Sequence, residues 1–366
     1  MVNGKISETQ FVMIITAFLQ GSVLALSFNA TTKHDTWLAV LAGFILFIPV
    51  TLCYASLAKR FAGLNLMQMS EAILGPYWGK GISLMYSWFF LILLALNVRD
   101  LGNFYTIQFM PETPLPFFII VFAAVCAYAV YIGIEVLARL GVFFVAIPFI
   151  IIPFTSLLLF KDMSISAFLP IFSAPLKEFI HGTHIITAIP LGETIMMLMF
   201  IPSLNSTERI TKNALLGLFF GTICLLAVSV RNTAVLGYTE YIWSSPSLQA
   251  VRLIDIGNVL TRLDVLIGIG HTFMMFFKCS LLYYCVVLSL AQLLRLKTYT
   301  PLILPIGLIA ITLSMIMNAS TVEREATGDA HLMQASLFSL IFPPVLLLIA
   351  KLRNLPDKRN YSEKSN

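Results

Sequence analysis

Long apolar runs separated by short polar stretches dominate this chain. Ten runs reach the length of about 20 residues that an α-helix needs to cross the hydrocarbon core of a bilayer. They lie at residues 10–32, 37–58, 81–105, 116–134, 140–160, 182–202, 213–236, 265–293, 301–319 and 331–350. The pattern predicts an all-α membrane protein with about ten transmembrane helices.

The composition excludes a soluble domain. Of the 366 residues, 58% are hydrophobic and 11% are charged, whereas soluble domains carry about 25% charged residues. The net charge of +5 does not indicate a nucleic-acid partner, because the basic residues flank the apolar runs instead of clustering on one face. All five Cys residues lie inside apolar runs without a CxxC pair, so we expect them to pack in the core.

The Lys and Arg residues in the loops predict the orientation. If the N-terminus is cytoplasmic, 14 of the 23 lie on that side and 8 on the other. Cytoplasmic loops carry the excess of these residues, so both termini are predicted to be cytoplasmic. We expect a single transmembrane domain over residues 1–355, built from five-helix repeats at 10–160 and 182–350, and a cytoplasmic tail at 356–366.

Three loops are predicted to carry helices of their own. Residues 161–181 and 238–264, on the outer side, contain enough apolar residues for short helices lying on the bundle. On the inner side, residues 60–80 contain a Ser N-cap candidate, Ser70, and a Gly stop, Gly75. This predicts an interfacial helix between them.

The first and sixth apolar runs are each interrupted near the middle of the membrane. The residues at these two points are Gln20, Gly21 and Ser22 in the first run, and Pro190, Gly192, Glu193 and Thr194 in the sixth. A helix broken there exposes backbone groups that hydrocarbon cannot satisfy, so they should line a cavity whose helix N-terminus favours an anionic group. Paired breaks in two halves indicate an inverted-repeat transporter fold. The alternative is the ordinary frequency of Gly and Pro in membrane helices.

Two charged residues lie deep in the apolar runs. A mid-membrane carboxylate costs at least about 2–3 kcal/mol, so Glu193 should face the protein interior or a wet cavity. Lys278 is too deep to reach the interface, and it shares one helix face with His271, Cys285 and Gln292, because a spacing of seven drifts by about 20° per step. Either Glu193 or the carbonyl groups of the first break can be its partner. Each of these two charged residues serves either a ligand or proton site, or helix packing.

Polar residues also lie toward the outer end of the third run. Asn97, Arg99 and Asp100 are expected to line an external vestibule or to solvate the interface. The sequence contains no G-x-S-x-G, P-loop or H-E-x-x-H motif, and His181 and His184 have too few companions for a metal site. We therefore predict no catalytic residue, no metal and no cofactor.

Several short strings, in the same order along the whole chain, resemble the B subunits of bacterial spore germinant receptors. They are ISETQ (6–10), HDTW (34–37), MPETP (110–114), GIEVLAR (133–139), PLGE (190–193), MLMFIP (197–202) and FFK (276–278). The resemblance implies membership of the amino acid/polyamine/organocation superfamily and a LeuT-like fold with broken helices 1 and 6. It also implies a place in the spore inner membrane beside a larger A subunit and a lipoprotein C subunit.

The resemblance further implies a ligand site between the two breaks, closed by the third and eighth helices. The residues expected to bind the ligand are Gln20, Gly21, Ser22, Asn97, Pro190, Gly192, Glu193, Thr194 and Lys278. Superfamily transporters often carry Gly-x-Gly at the first break, whereas here Gly21 stands between Gln20 and Ser22. The ligand is therefore expected to be a small nutrient such as an amino acid, without being restricted to simple α-amino acids.

Two functions are compatible with these features. The first is a nutrient-sensing receptor subunit that passes a change in conformational population to partner subunits. The alternative is a proton-coupled amino-acid permease that uses the same cavity. A membrane-embedded enzyme lacks any positive sign in the sequence.

Overall fold

The computed structural model describes residues 5–21, 23, 29–254, 263–317 and 321–356. This part of the chain is helical and contains no β-strand beyond an isolated bridge between Ile6 and Leu204. Its α-helices, in chain order, are α1 (Glu8–Gln20), α2 (Asn29–Thr32), α3 (Thr36–Arg60), α4 (Leu66–Leu74), α5 (Pro76–Gln108), α6 (Leu115–Ile132), α7 (Ile134–Leu158), α8 (Leu176–Ile186), α9 (Ile210–Leu236), α10 (Pro246–Arg252), α11 (Asp264–Leu293), α12 (Thr300–Ile316), α13 (Thr321–Ser336) and α14 (Phe342–Leu352).

Eight helical segments among the described residues are long and apolar enough to cross a membrane. They are Lys33–Arg60, Pro76–Gln108, Leu115–Ile132, Ile134–Leu158, Leu176–Ser203, Ile210–Ile242, Asp264–Leu293 and Gly328–Leu352. The 17-residue α12 and the 13-residue α1 are the shorter helices at the two remaining predicted positions. The described residues thus carry a helix at each of the ten predicted positions, eight of them of full membrane-crossing length.

The two ends of the helical bundle differ in what they carry. One end of the bundle carries α4, together with the first residues of α1 and the last residues of α14, and we call it the α4 end. The opposite end carries α10 and residues 160–175, and we call it the α10 end. At the α4 end, the backbone N–H of Ile6 donates to Ser203 O at 2.7 Å, and that of Asn205 donates to Ile6 O at 3.1 Å. The beginning of the first span is thus hydrogen-bonded to the end of the sixth.

The interfacial helix predicted between Ser70 and Gly75 is present as α4, but its predicted start is wrong. Asn65 is the N-cap, because Asn65 Oδ1 accepts from the Gln68 N–H at 3.1 Å while Gln68 Oε1 accepts from the Asn65 N–H at 3.0 Å. Ser70 lies inside the helix, where its hydroxyl donates to Leu66 O at 2.8 Å. Gly75, with φ +85°, ends the helix as predicted.

Gly79, in the first turn of α5, allows α4 to lie against α5. A Cβ atom at this position would lie 2.4 Å from Glu71 Cα and 2.7 Å from Ser70 O. Backbone atoms cannot move aside as a side-chain tip can, so we expect Gly79→Ala to lower the free energy of unfolding by about 1–3 kcal/mol. Gly81→Ala is the control, since its Cβ would meet no described atom within 4 Å. Equal thermal unfolding midpoints for the two purified variants would contradict this packing.

At the α10 end, the loop before α8 folds over the start of α3. The Asp35 carboxylate accepts hydrogen bonds from the backbone N–H groups of Phe172 at 3.1 Å and Ala174 at 3.2 Å. The predicted short helices of this loop are two 3₁₀ turns, Phe160–Asp162 and Ile165–Phe168. The loop is therefore fixed to the bundle by a buried carboxylate.

The second loop predicted to carry helices is anchored in the same region. It forms a 3₁₀ segment, Gly237–Ile242, and then α10, while the apolar residues Ile256, Val259 and Leu260 later in the loop lie outside the described residues. The fully buried Arg231 guanidinium donates to Thr155 Oγ1 at 2.9 Å and to Asn232 Oδ1 at 2.9 Å. This polar cluster joins α7 to α9 beneath the loop.

Candidate functional site

The interruption of the first span lies against α11. Helix α1 ends at Gln20, and the Gly21 N–H donates to Ala17 O at 3.1 Å and to Phe18 O at 3.2 Å. A Cβ atom at Gly21 would lie 2.8 Å from Lys278 Cβ and 2.9 Å from Lys278 Cδ. The missing side chain at Gly21 therefore lets the aliphatic stem of Lys278 cross the end of α1.

The interruption of the sixth span is a change of helix type. The α-helix α8 ends at Ile186, Thr187–Leu191 winds as a π-helix, and Gly192–Ser203 winds as a 3₁₀ helix. Pro190 lacks an N–H and cannot complete the α-helical hydrogen bond to Ile186 O, so the α-helix cannot continue unchanged through this segment. Such π segments inside helices frequently mark functional sites. The predicted discontinuity is present, with changed winding in place of an unwound loop.

A buried ion pair joins the sixth span to α11. Lys278 Nζ lies 2.7 Å from Glu193 Oε2, and the two side chains are 1% and 3% exposed. The sequence left open whether these two groups pair, and the structure shows that they do. A separation of 2.7 Å is that of a charge-assisted hydrogen bond between an ammonium group and a carboxylate. Lys278 Nζ also lies 5.3 Å from the centroid of the Phe18 ring, within range of a cation–π attraction.

Two further titratable groups stand near this pair, on α5 and α11. Asp100 interacts electrostatically with Glu193, and Lys278 does so with His271. The His271 ring is fully buried, meets Phe104 edge-on at 4.6 Å, and has no hydrogen-bond partner at either nitrogen among the described residues. Neither Asp100 nor His271 belongs to the predicted ligand-binding set, although both stand in the polar positions that the sequence singles out.

Three predicted site residues use their polar groups in contacts other than the ion pair. Gln20 Nε2 lies 3.4 Å from Val145 O and 3.3 Å from Cys224 Sγ, so the side chain faces α7 and α9. Asn97 Nδ2 donates to Leu93 O within α5, and Thr194 Oγ1 donates to Leu191 O, the last residue of the π-helix that precedes it in the same span. The structure therefore brings together Gly21, Glu193 and Lys278, with Phe18 as the neighbour that the sequence analysis missed.

The last span contributes a third irregular segment that the sequence analysis also missed. Leu337–Ile341 is π-helical and lies against the sixth span, where a Cβ at Gly192 would be 2.5 Å from Ser339 Oγ. Pro343 has no N–H to offer Ser339 O, and this carbonyl instead accepts the Tyr54 hydroxyl at 2.7 Å. The Pro343-Pro344 pair is the sequence signal for this segment. Ser22, the remaining predicted residue, lies outside the described residues.

A polar cavity of about 500 Å³ opens at the α4 end, away from the ion pair. Its lining residues are Gly63, Met67, Gln68, Glu71, Lys80, Pro202, Gln292, Leu293 and Arg295. Along α11, between Lys278 and Gln292, Tyr284 stacks on Phe200 at 5.9 Å and Ser289 Oγ lies 2.8 Å from Ser87 Oγ. Packed side chains thus separate the ion pair from this cavity.

Solved transporter structures share this fold. The structure of MhsT in complex with L-phenylalanine matches with a TM-score of 0.66 and 14% identity, covering 94% of this chain and 88% of that one. The structure of Mhp1, a nucleobase-cation-symport-1 family transporter in a closed conformation with bromovinylhydantoin bound, matches with a TM-score of 0.64 and 13% identity, covering 92% and 79%. The LeuT-like prediction is thereby confirmed. The repeat boundaries, 10–160 and 182–350, stay a prediction.

A family model, together with sequence relatives, identifies the family. Spore germination protein KB of Bacillus subtilis (strain 168) is 25% identical over 357 residues, which cover 96% of this chain and 95% of that protein. Spore germination protein YndE of the same strain is 23% identical over 367 residues, covering 97% and 99%. The family model described as "Spore germination protein" matches residues 5–322. This multi-pass, permease-like membrane protein belongs to the spore germination protein family.

Proposed function

We propose that the protein is the nutrient-sensing subunit of a germinant receptor in the spore inner membrane. It binds a small nutrient, an amino acid, at mid-membrane between the end of α1 and the changed winding of the sixth span. The buried pair of Glu193 and Lys278, held against Gly21, is the observation that carries this proposal. The proposal gives no residue a catalytic role.

The ion pair fits a zwitterionic ligand. Two charges buried in a low-dielectric interior stabilise little net, because their desolvation offsets their mutual attraction. An amino acid can offer its carboxylate to Lys278 and its ammonium group to Glu193, so that each charge keeps a partner when the two separate. The fold of MhsT, whose solved complex contains L-phenylalanine, supports the same ligand class. The remaining residues of the predicted ligand-binding set stay a prediction.

A sensing role requires two arrangements of the broken spans with different ligand affinity. A ligand shifts an equilibrium only by its differential affinity, and a nearly complete switch needs about 10⁴-fold. The hydrogen bonds between Ile6 and Ser203 and between Asn205 and Ile6 connect the two broken spans at the α4 end. Movement between the spans at the ligand would therefore reach this end, which we assign to the cytoplasmic side. In the spore inner membrane beside this chain, a larger A subunit and a lipoprotein C subunit complete the proposed receptor.

A proton-coupled amino-acid permease is the second candidate. The observation that favours it is that two further titratable side chains, Asp100 and His271, lie near the buried ion pair, together with the polar cavity at the α4 end. Buried ionisable residues in membrane spans often belong to proton pathways. Both functions use the same fold, so a transport measurement has to separate them.

Ligand binding and transport by the purified full chain test the proposal. We expect saturable binding of one class within a panel of amino acids, sugars and nucleosides, and no accumulation of that ligand in liposomes that carry a proton gradient. Gradient-driven accumulation by the chain alone would overturn the receptor assignment in favour of the permease. Absence of binding for every class, both alone and with the A and C subunits, would contradict a nutrient site.

A further inference from the structure

A groove on the membrane-facing side lies between α3 and α9 at the α4 end. It is open on one side and has a volume of about 730 Å³. Its apolar lining is Phe44, Ile48, Leu215, Leu216 and Phe219, and its polar lining is Lys59, Glu208, Arg209, Thr211 and Lys212. The apolar and polar residues separate along the groove, because the charged ones come from the last turn of α3 and from the start of α9. The groove is therefore amphipathic along its length.

The charged end of the groove has an excess of cations without protein partners. Lys59, Arg209 and Lys212 are exposed, and in the part of the chain that the structure describes none of them forms an ion pair or a side-chain hydrogen bond. Glu208 is the one carboxylate in the lining. The adjacent Arg60, in contrast, donates to backbone carbonyls, including Ala350 O at 3.1 Å. The three cationic side chains of the groove are thus available to bind a negatively charged ligand.

The apolar part of the groove has the depth of one membrane leaflet. From Arg209 to Phe219, a helix rises about 15 Å, half of the hydrocarbon thickness of about 30 Å. The Phe219 ring lies 6.3 Å from the Phe44 ring of α3, centroid to centroid, so the two helices close the groove at this depth. The acyl chain of a phospholipid fits a groove of this length with this apolar lining.

We propose that this groove binds an anionic phospholipid. Its phosphate group lies at Lys59, Arg209 and Lys212, and one acyl chain lies along Leu215, Leu216 and Phe219. Basic pockets between transmembrane helices are the sites that recognise anionic headgroups in other membrane proteins. A zwitterionic phospholipid carries no net negative charge and should not occupy the groove with the same affinity.

A lipid at this site lies on the helix that supports the first break. Helix α9 packs against α1 through two glycines, since a Cβ at Gly217 would lie 2.7 Å from Ile15 Cβ and one at Gly221 would lie 2.6 Å from Leu19 Cβ. The groove residues Leu215, Leu216 and Phe219 flank these contacts in the sequence. Binding there stabilises the arrangement of α3 and α9 behind the candidate ligand site.

The test measures retention of phosphatidylglycerol against phosphatidylcholine by the purified full chain in mixed nanodiscs, by native mass spectrometry. The variant Arg209→Gln/Lys212→Gln removes two groove cations and should weaken phosphatidylglycerol retention about 25-fold, since each cation near an anionic lipid contributes about a fivefold effect. The control Arg139→Gln/Lys297→Gln removes the same net charge from the same end, outside the groove, although Arg139 forms an exposed ion pair with Glu135. It should behave as the wild type.

A second variant, Leu215→Trp, fills the apolar part of the groove without changing its charge and should also lower phosphatidylglycerol retention. Equal retention of the two phospholipids by the wild type would overturn the proposal. Equal losses in the groove variant and its control would also overturn it, because they indicate diffuse surface charge. If neither lipid is retained and an oligomer or a partner subunit covers the groove, this surface is a protein contact and the lipid proposal is wrong.

Discussion

Replacing Lys278 by Met is expected to abolish nutrient binding and to destabilise the protein by about 3–5 kcal/mol, because it leaves the Glu193 carboxylate buried without its cation. Glu193→Gln leaves the Lys278 ammonium group buried without the Glu193 carboxylate. It should therefore lower stability and nutrient binding by similar amounts. Thermal unfolding of each purified variant measures the loss of stability. Binding of the nutrient that the wild type recognises measures the loss of function.

The double variant Glu193→Gln/Lys278→Met separates packing from ligand recognition. With both charges removed, neither residue leaves the other as an uncompensated buried charge. The unfolding midpoint should therefore return toward that of the wild type. If the pair binds the zwitterion, nutrient binding does not return with it. If the pair only fixes helix packing, both properties recover together.

Lys297→Met is the control for these variants, since this exposed lysine lies in the loop between α11 and α12. It should change neither stability nor binding measurably. Wild-type nutrient affinity in both single variants of the pair would remove Glu193 and Lys278 from the recognition mechanism.

The helical architecture could be predicted from the sequence because each membrane span has to satisfy its own backbone hydrogen bonds. That requirement turns hydrophobicity and length into helix positions. The two interruptions could be predicted for the same reason, since Gly21, Pro190 and Gly192 are residues that disturb a helix at similar depths. The cost of burying a charge likewise identified Glu193 and Lys278 as residues that need a partner.

The contacts between spans could not be predicted, because they depend on the direction in which each side chain leaves its helix. Gln20 is adjacent to Gly21 in the sequence, yet its amide faces α7 and α9 while Gly21 faces Lys278. Phe18, two residues earlier, brings its ring near the Lys278 ammonium group. Neighbours in one helix thus serve different interfaces, and hydrophobic pattern alone does not assign them.

Proline positions carried more information than the sequence analysis used. Pro190 marks the changed winding of the sixth span, and Pro343 marks the π-helical segment of the last span by the same loss of a backbone donor. The second segment lies against the first at Gly192 and Ser339. Its carbonyl groups at Phe338 and Ser339 accept the hydroxyls of Tyr86 and Tyr54, so the freed acceptors are satisfied by protein groups.

Gly21→Ala is expected to weaken nutrient binding at least tenfold, which corresponds to about 1.4 kcal/mol. The added Cβ would lie 2.8 Å from Lys278 Cβ, an atom fixed to the backbone of α11, so the end of α1 and α11 have to move apart. That movement separates the Lys278 ammonium group from the position in which it meets Glu193. We also expect a loss of about 1–3 kcal/mol in the free energy of unfolding from the overpacking itself.

Gly217→Ala distinguishes a specific effect at the site from general overpacking of α1. Its Cβ would lie 2.7 Å from Ile15 Cβ, so it presses on the same helix with a similar clash but away from the ion pair. Both variants should therefore show lower unfolding midpoints, while Gly21→Ala alone loses nutrient affinity under conditions in which both are folded. Equal affinities in the two variants would mean that the end of α1 does not form the ligand site, and the close approach of Gly21 to Lys278 would then be a packing contact.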